Sequence, residues 1–174
     1  MAATRVLMVC MGNICRSPTA EAVLRAQLKA AGRHAEIEVD SAGTHGYHNG
    51  EPPDARAVKH GAGRGYDLSK IRARRVSKED FERFDWLLAM DEDNLEWLQD
   101  MAPAGHRARV GLLLDHAQRF AGTREVPDPY YGAPAGFERV LDLVEDACAG
   151  FLAQLGREAE QGKGEGKAES SGTS

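Results

Sequence analysis

The sequence predicts an α/β fold, a single-domain three-layer sandwich with a four-stranded, mainly parallel sheet and helices on both faces. Short apolar runs alternate along the chain with segments whose apolar residues recur at helical spacing, which is typical of parallel strands joined by crossover helices. A chain of 174 residues that is 42% hydrophobic can bury one core of ordinary size and does not require a second domain.

The first strand and helix form the clearest unit near the start. Arg5–Val9 is a continuous apolar run, as expected for a strand buried on both faces of a parallel sheet. The next apolar residues lie on one helical face, and Ser17 is predicted as the N-cap with Pro18 at the first helical position. The face consists of Ala20, Val23, Leu24 and Leu28.

The later elements alternate in the same way. Their predicted ranges are a strand at 36–39, a helix at 54–60, a capping-box turn at 77–80, a strand at 85–90, a helix at 94–101 and a strand at 109–114. An i, i+3, i+4 rhythm predicts the last helix from Phe137 to Leu155. The domain is predicted to cover residues 1–156. Residues 157–174 have no aromatic or branched aliphatic side chain and are predicted to be a disordered tail.

Charge and cysteine content restrict the classes of function. A net charge of −5 and a pI near 5.7 argue against a general binder of nucleic acid or anionic membranes, so any anion site must be local. The early apolar run is too short for a signal peptide or a membrane span. Three cysteines do not resemble a secreted disulfide framework. We therefore expect a cytoplasmic protein, and we expect a monomer.

The loop after the first strand is the predicted site of chemistry, because ligands of such sheets bind beyond the carboxyl ends of the strands. In Cys10-Met-Gly-Asn-Ile-Cys-Arg-Ser17, a cysteine and an arginine are separated by five residues. This spacing alone arises by chance in about one case in twenty. Its position between a buried strand and a helix N-terminus makes it informative.

An arc of this length turns its backbone N–H groups inward and forms a nest for an oxyanion at the helix N-terminus. Gly12 and Asn13 are predicted to supply the positive φ that the arc needs. The same field, with Arg16, should favour the thiolate of Cys10, a nucleophile for phosphorus. The planar fork of Arg16 fits two phosphate oxygens. The hydroxyl of Ser17 can cap the helix, donate to the Cys10 sulfur, or do both.

Residues 9–21 resemble the signature of the low-molecular-weight protein tyrosine phosphatase family. The resemblance covers roughly residues 4 to 155 and continues, in the family's order, through residues 40–44, 78–81, 89–95 and 126–132. It implies hydrolysis of phosphotyrosine in a protein substrate, such as a tyrosine kinase, through a phosphocysteine on Cys10. The six histidines show no metal-binding spacing, and neither a metal nor a cofactor is expected.

Asp128 is the candidate for the acid that delivers a proton to the leaving oxygen. Pro127 and Pro129 stiffen its loop, although an Asp-Pro pair is also a common turn. By resemblance, Asp128 then acts as the base that activates water against the phosphocysteine. Tyr130 and Tyr131 are predicted to form a wall of the substrate cleft.

The remaining predicted site residues bind phosphate or substrate or support those that do. They are Met11, Gly12, Asn13, Ile14, Cys15, Ser17, Ser41 and Tyr47. Cys15 either packs or, by resemblance, forms a reversible disulfide with Cys10, while Cys148 is expected in the core. Ile71 stands where relatives commonly carry a histidine that supports the loop asparagine, and Tyr47 stands where many carry a tryptophan.

Three other functions compete with this hypothesis. Arsenate reductases of the family need further cysteines in mid-chain, and none lies between Cys15 and Cys148. Relatives acting on phosphoarginine typically carry threonine at the position of Ile14, whose bulk favours an aryl leaving group. A phosphate- or phosphopeptide-binding module would need neither Cys10 nor Asp128.

Overall fold

The computed structural model describes the backbone of residues 3–171 and the side chains of residues 3–161. The strands are β1 Thr4–Cys10, β2 Ile37–Gly43, β3 Trp86–Ala89 and β4 Arg109–Leu112. The helices are α1 Arg16–Ala30, α2 Ala55–Gly63, α3 Asp80–Arg83, α4 Glu92–Met101 and α5 Ala135–Ser171, with a 3₁₀ helix at Leu113–His116. The strands pair in the order β2-β1-β3-β4, and every pairing is parallel.

The central strand β1 divides the core into two layers, because successive side chains of a strand point to opposite faces. Val6 and Met8 pack into one apolar cluster with side chains of α1 and α5. Leu7 and Val9 pack into a second cluster, which contains side chains of α3 and α4. Helices therefore cover both faces, and the predicted three-layer α/β fold is confirmed with a fully parallel sheet.

Several predicted boundaries shift for identifiable reasons. Strand β2 extends to Gly43, beyond the predicted 36–39, because it pairs with β1 residue by residue from Thr4↔Ile37 to Cys10↔Gly43. Strand β4 ends at Leu112, where the chain turns into the 3₁₀ helix. The extension of β2 brings the ends of β1 and β2 to the same level, beside the loop that follows Cys10.

The prediction of Ser17 as an N-cap is wrong. Helix α1 begins at Arg16, and Cys15 occupies the N-cap without a side-chain hydrogen bond. Ser17 lies inside the helix and is fully buried. Its hydroxyl is therefore available to the loop rather than to the helix end.

Helix α5 passes through the predicted domain boundary without a break. Its apolar stripe ends at Leu155, and residues 157–161 are mostly exposed. These five residues are good helix formers, so propensity rather than burial accounts for the continuation. The division at residue 156 and the disorder of the tail stay predictions, and residues 1–2 and 172–174 lie outside the described residues.

Gly150 allows α5 to pass against the backbone of the 3₁₀ helix, where an added Cβ would overlap the carbonyl oxygen of His116. We expect Gly150→Ala to lower the free energy of unfolding by about 2–3 kcal/mol, the usual cost of overpacking. Gly156→Ala is the matched control, because nothing lies within 4 Å of its added Cβ, and it should be neutral or stabilising by up to about 1 kcal/mol. Urea denaturation of both variants measures the difference, and equal stabilities would contradict the predicted overlap.

Candidate active site

The loop from Cys10 to Arg16 runs directly from the end of β1 into α1. Asn13 has φ 58°, and among the described residues it is the only residue other than glycine with a positive φ. The predicted positive φ at Gly12 is wrong. Gly12 instead lies close to His48: an added Cβ would lie 3.2 Å from Cδ2 of its ring, and the ring would have to shift by a few tenths of an ångström. Gly43 is needed beneath the loop, where an added Cβ would lie 2.6 Å from the carbonyl oxygen of Met11.

Asn13 is held in this conformation by hydrogen bonds from three directions. Its Nδ2 donates to Ser17 Oγ at 2.8 Å and to Ser41 Oγ at 3.0 Å. Its Oδ1 accepts the backbone N–H of Arg74 at 3.0 Å. Ile71, which stands where relatives commonly carry a histidine, packs against the small apolar cluster around Leu68. In this chain the amide of Asn13 is satisfied by two hydroxyls and a backbone N–H.

The polar contacts behind Asn13 continue to a buried carboxyl group. Ser41 Oγ donates to Glu21 Oε1 at 2.6 Å, and Arg25 forms a 2.7 Å ion pair with Glu21 Oε2. Burial raises the pKa of Glu21, although the hydrogen bond from Ser41 and the charge of Arg25 oppose that shift. Sequence analysis missed Glu21, whose only signal was a charged residue on the otherwise apolar start of α1.

The sulfur of Cys10 lies within hydrogen-bonding distance of one group of the loop and one group of α1. The backbone N–H of Asn13 points to Sγ at 3.3 Å, and Ser17 Oγ lies 3.0 Å from the same atom. Ser17 Oγ already accepts from Asn13, and its own hydrogen has two acceptors within reach, the sulfur at 3.0 Å and the carbonyl oxygen of Ala42 at 3.4 Å, of which the sulfur is the nearer. Cys10 is only 2% exposed, so these two contacts replace the solvation that burial removes.

Arg16 is buried beneath the loop and is paired with acidic groups. Its Nη1 donates to Asp91 Oδ2 at 2.5 Å and to the carbonyl oxygen of Val126 at 3.2 Å. Its Nη2 lies 3.7 Å from Asp128 Oδ2. Burial alone would lower the pKa of Arg16, but the charges of Cys10 and Asp91 outweigh it, and the pKa is raised. Arg16 therefore remains a guanidinium.

Asp91 is a functional candidate that sequence analysis missed. It follows β3, and its Oδ1 also caps α4 by accepting the N–H of Asn94 at 2.8 Å. Two features of the sequence could have revealed it: an arginine buried in a loop needs a counter-charge, and Asp91 lies at the carboxyl end of a neighbouring strand.

A cavity of about 250 Å³ opens over the loop at the carboxyl ends of the strands. Tyr47 and Tyr131 are 85% and 93% exposed and mark its rim. His48, which sequence analysis missed, lines the cavity, whereas the predicted residues Asn13, Ser17 and Ser41 are buried outside its lining. The full lining is Cys10, Met11, Gly12, Ile14, Cys15, Arg16, Tyr47, His48, Asp128, Tyr130 and Tyr131.

Asp128 reaches this cavity from the loop that precedes α5. Its Oδ1 accepts the N–H of Tyr130 at 3.0 Å, and its side chain is 37% exposed. The ring centroids of Tyr130 and Tyr131 lie 4.8 Å apart in a T-shaped arrangement. The structure thus brings a carboxylate and two aromatic rings to the cavity that Cys10 and Arg16 line.

The other two cysteines differ from Cys10 in their surroundings. Burial, together with the charges of Asp54 and Cys10, raises the pKa of Cys15 to about 12. Burial also raises the pKa of Cys148, which lies in the main core. All three cysteines are free, and the disulfide between Cys10 and Cys15 stays a prediction.

Within the described part of the chain, no group of three or more histidine, cysteine or acidic side chains is placed to hold a metal ion. In the same residues, no helix has the length and apolar character needed to cross a membrane.

A cysteine and an arginine around an anion nest, with a carboxylate at the same cavity of a parallel α/β sheet, define the class of cysteine-dependent phosphatases. Within this class, the chain belongs to the low molecular weight phosphotyrosine protein phosphatase family, whose sequence profile matches residues 5–161.

Individual relatives resemble the chain over most of its length. A putative low molecular weight protein-tyrosine-phosphatase of Synechocystis is 50% identical over 155 residues, which cover 88% of this chain and 98% of the relative. The crystal structure of a protein tyrosine phosphatase from Entamoeba histolytica, with Hepes in its active site, matches with a TM-score of 0.85 and 42% identity, covering 92% of this chain and 99% of the other. A Drosophila arginine phosphatase matches with a TM-score of 0.81 and 30% identity, covering 86% and 96%.

Asp91→Asn should leave Arg16 buried without its closest counter-charge while retaining a good N-cap for α4. Removing one partner of a buried ion pair is strongly destabilising, so we expect the free energy of unfolding to fall by about 3 kcal/mol. Loss of the contact that orients Arg16 should also lower kcat/KM with an aryl phosphate by about tenfold or more. Denaturation and steady-state kinetics measure the two effects. Asp93→Asn, in the exposed first turn of the same helix, is the control, and matching values in the two variants would disprove the role of Asp91.

Alkylation by iodoacetamide should separate the cysteines by ionisation, because Cys10 and Cys15 both line the cavity but only Cys10 receives donors at its sulfur. A thiol is unreactive while protonated, and the raised pKa keeps Cys15 in that form. At about pH 8, well below the raised pKa of Cys15, mass spectrometry should find Cys10 labelled and Cys15 and Cys148 unlabelled. Inorganic phosphate should protect Cys10, with Cys10→Ser as the control. Labelling of Cys15 at the rate of Cys10 would contradict this difference.

Proposed function

We propose that the protein hydrolyses phosphotyrosine in protein substrates, with Cys10 as nucleophile, Arg16 as phosphate ligand and Asp128 as general acid and base. The observation that carries the proposal is the position of the Cys10 sulfur. It receives a backbone N–H of the anion nest and lies at a cavity that Asp128 and two tyrosines also line. A phosphate over this nest presents its phosphorus to the sulfur and its aryl group to the tyrosines.

In the first step, the thiolate of Cys10 attacks phosphorus in line with the bond to the tyrosine oxygen. A sulfur–phosphorus bond forms and the phosphorus–oxygen bond breaks. Asp128, as the carboxylic acid, transfers its proton to the departing phenolate oxygen. The guanidinium of Arg16 and the backbone N–H groups of the loop hold the remaining phosphate oxygens and oppose the charge that develops on them.

In the second step, the carboxylate of Asp128 accepts a proton from a water molecule, whose oxygen attacks phosphorus. The sulfur–phosphorus bond breaks, and Cys10 leaves as a thiolate. The hydroxyl of Ser17, 3.0 Å from Sγ, stabilises this leaving group by hydrogen bonding. Inorganic phosphate is released, and the enzyme returns to its starting state.

The setting of this reaction is also part of the proposal. Three free, buried cysteines fit a reducing compartment, and we propose a cytoplasmic location. The substrate is a phosphotyrosine protein such as a tyrosine kinase, and the protein acts as a monomer without nucleic acid or membrane. We also propose that a peroxide oxidises Cys10 to a sulfenic acid, which the Cys15 thiol displaces as water to form a disulfide, and that a cellular thiol reduces this disulfide again, protecting the nucleophile from further oxidation.

Phosphoarginine is the second candidate substrate, because an arginine phosphatase shares the fold. The branched apolar side chain of Ile14 lines the cavity. It offers no hydrogen bond to a guanidinium and contacts an aryl ring favourably, so we rank phosphotyrosine first. A phosphopeptide-binding module without turnover is the third candidate.

Phosphate release from phosphotyrosine and phosphoarginine peptides, in reducing buffer with a chelator, separates these candidates. Cys10→Ser should abolish release, and Asp128→Asn should lower kcat/KM on phosphotyrosine about 10²-fold or more, the usual contribution of a general acid. Asp100→Asn, an exposed change on α4, is the control and should match the wild type. Faster release from phosphoarginine would reverse the order of substrates. Binding without release would replace the enzyme with the binding module.

A further inference from the structure

The loop that carries Asp128 is attached to the rest of the protein at few points. Among the described residues, the only hydrogen bond to segment 127–132 from another element is donated by Arg56 Nη2 to the carbonyl oxygen of Tyr130, at 2.9 Å. Asp128 also lies near Arg16 as an ion pair at 3.7 Å. The other hydrogen bonds of the segment are internal to it.

Arg56 is itself held in one geometry. Its Nε and Nη2 donate to the two carboxylate oxygens of Asp54 at 3.1 and 2.9 Å. The guanidinium carbon lies 4.9 Å from the ring centroid of Phe137 and 5.6 Å from that of Tyr130. Phe137 is buried at the start of α5. The planar fork is thus fixed between the start of α2, the Asp128 loop and the start of α5.

Asp54 connects the same arginine to the loop of the nucleophile. The backbone N–H of Asp54 donates to the carbonyl oxygen of Ile14 at 2.8 Å. Its carboxylate caps α2 by accepting the N–H of Arg56 at 2.8 Å. A continuous series of contacts therefore runs from Ile14 through Asp54 and Arg56 to Tyr130, which joins the loop of the proposed nucleophile to the loop of the proposed acid.

We propose that Arg56 is a positioning residue. It holds the Asp128 loop so that the carboxyl group of Asp128 reaches the leaving oxygen of a phosphate bound at Cys10, an inference that rests on the proposed function. Arg56 is absent from the lining of the cavity, so it acts through the loop and not on the phosphate. A general acid must lie within hydrogen-bond reach of the leaving oxygen, and a misplacement of about 1 Å can cost about 10²-fold in rate. Exposed ion pairs contribute little stability, so loss of Arg56 should affect catalysis far more than folding.

The dependence of rate on the leaving group tests this role, because an acidic phenol leaves without a proton and a tyrosine does not. With Arg56→Gln, kcat/KM should fall about tenfold or more for a phosphotyrosine peptide and change little for 2,4-dinitrophenyl phosphate. Asp128→Asn should show the same pattern more strongly. Asp54→Asn should resemble Arg56→Gln, and the double variant should lose no more than either, since both act on one contact.

Two further variants separate geometry from charge and from general damage. Arg56→Lys keeps the charge but cannot bind both Asp54 oxygens and Tyr130 together, so it should resemble Arg56→Gln. Arg33→Gln removes a surface arginine that pairs with Glu36 and should match the wild type. Urea denaturation of each variant checks that stability is retained.

Equal losses on both substrates in Arg56→Gln, or wild-type kinetics in Arg56→Lys, would overturn the positioning role. These results are distinct from failure of the proposed function. In that case the wild type would release no phosphate, Cys10→Ser would remain active, or Asp128→Asn would show no dependence on the leaving group.

Discussion

The left-handed backbone of Asn13 is the constraint on which the rest of the site depends. A residue with a Cβ adopts this conformation at a cost, so the surrounding structure must hold it there. Three elements do so through the side-chain amide: α1 supplies Ser17, β2 supplies Ser41, and the backbone of Arg74 closes the third side. Once Asn13 is fixed, its N–H points to the sulfur of Cys10.

A second constraint is the balance of charge around a buried guanidinium. Arg16 is almost completely buried, and a buried positive charge needs negatively charged groups beside it. Asp91 supplies the closest one, Asp128 a longer one, and Cys10 a third as a thiolate. In the proposed function, a bound phosphate would place two further negative oxygens near the same guanidinium. The site is therefore electrostatically prepared for an anion, although the protein as a whole carries a net charge of −5.

The sequence predicts the features formed by neighbouring residues of the chain. It does not predict the contacts between residues that are far apart in the chain. The strand, nest and helix at 5–28 are contiguous, so their pattern is visible in one stretch of residues. The sequence predicts Ser17 as a helix cap, as a donor to the Cys10 sulfur, or as both. In the structure Cys15 occupies the N-cap, and the Ser17 hydroxyl contacts Asn13 and Cys10 instead. The sequence predicts a positive φ at Gly12, which the structure does not show; the residue that lies close to Gly12 is His48, from another segment. Asp91 and Arg56 reach the site only through the parallel order of the strands and the packing of α2.

The two halves of the site are held with different strength, which follows from where they lie in the fold. The nucleophile loop continues a strand that is buried on both faces, and its amide, sulfur and guanidinium each have several partners. The Asp128 loop crosses the surface ahead of α5 and is joined to its surroundings chiefly through Arg56. The proposed proton transfer from Asp128 requires hydrogen-bond reach of the leaving oxygen, so in the proposed mechanism the weakly held loop is where geometry would limit the reaction. We therefore expect Arg56, an exposed arginine between the two loops, to affect the rate of catalysis far more than the stability of the fold.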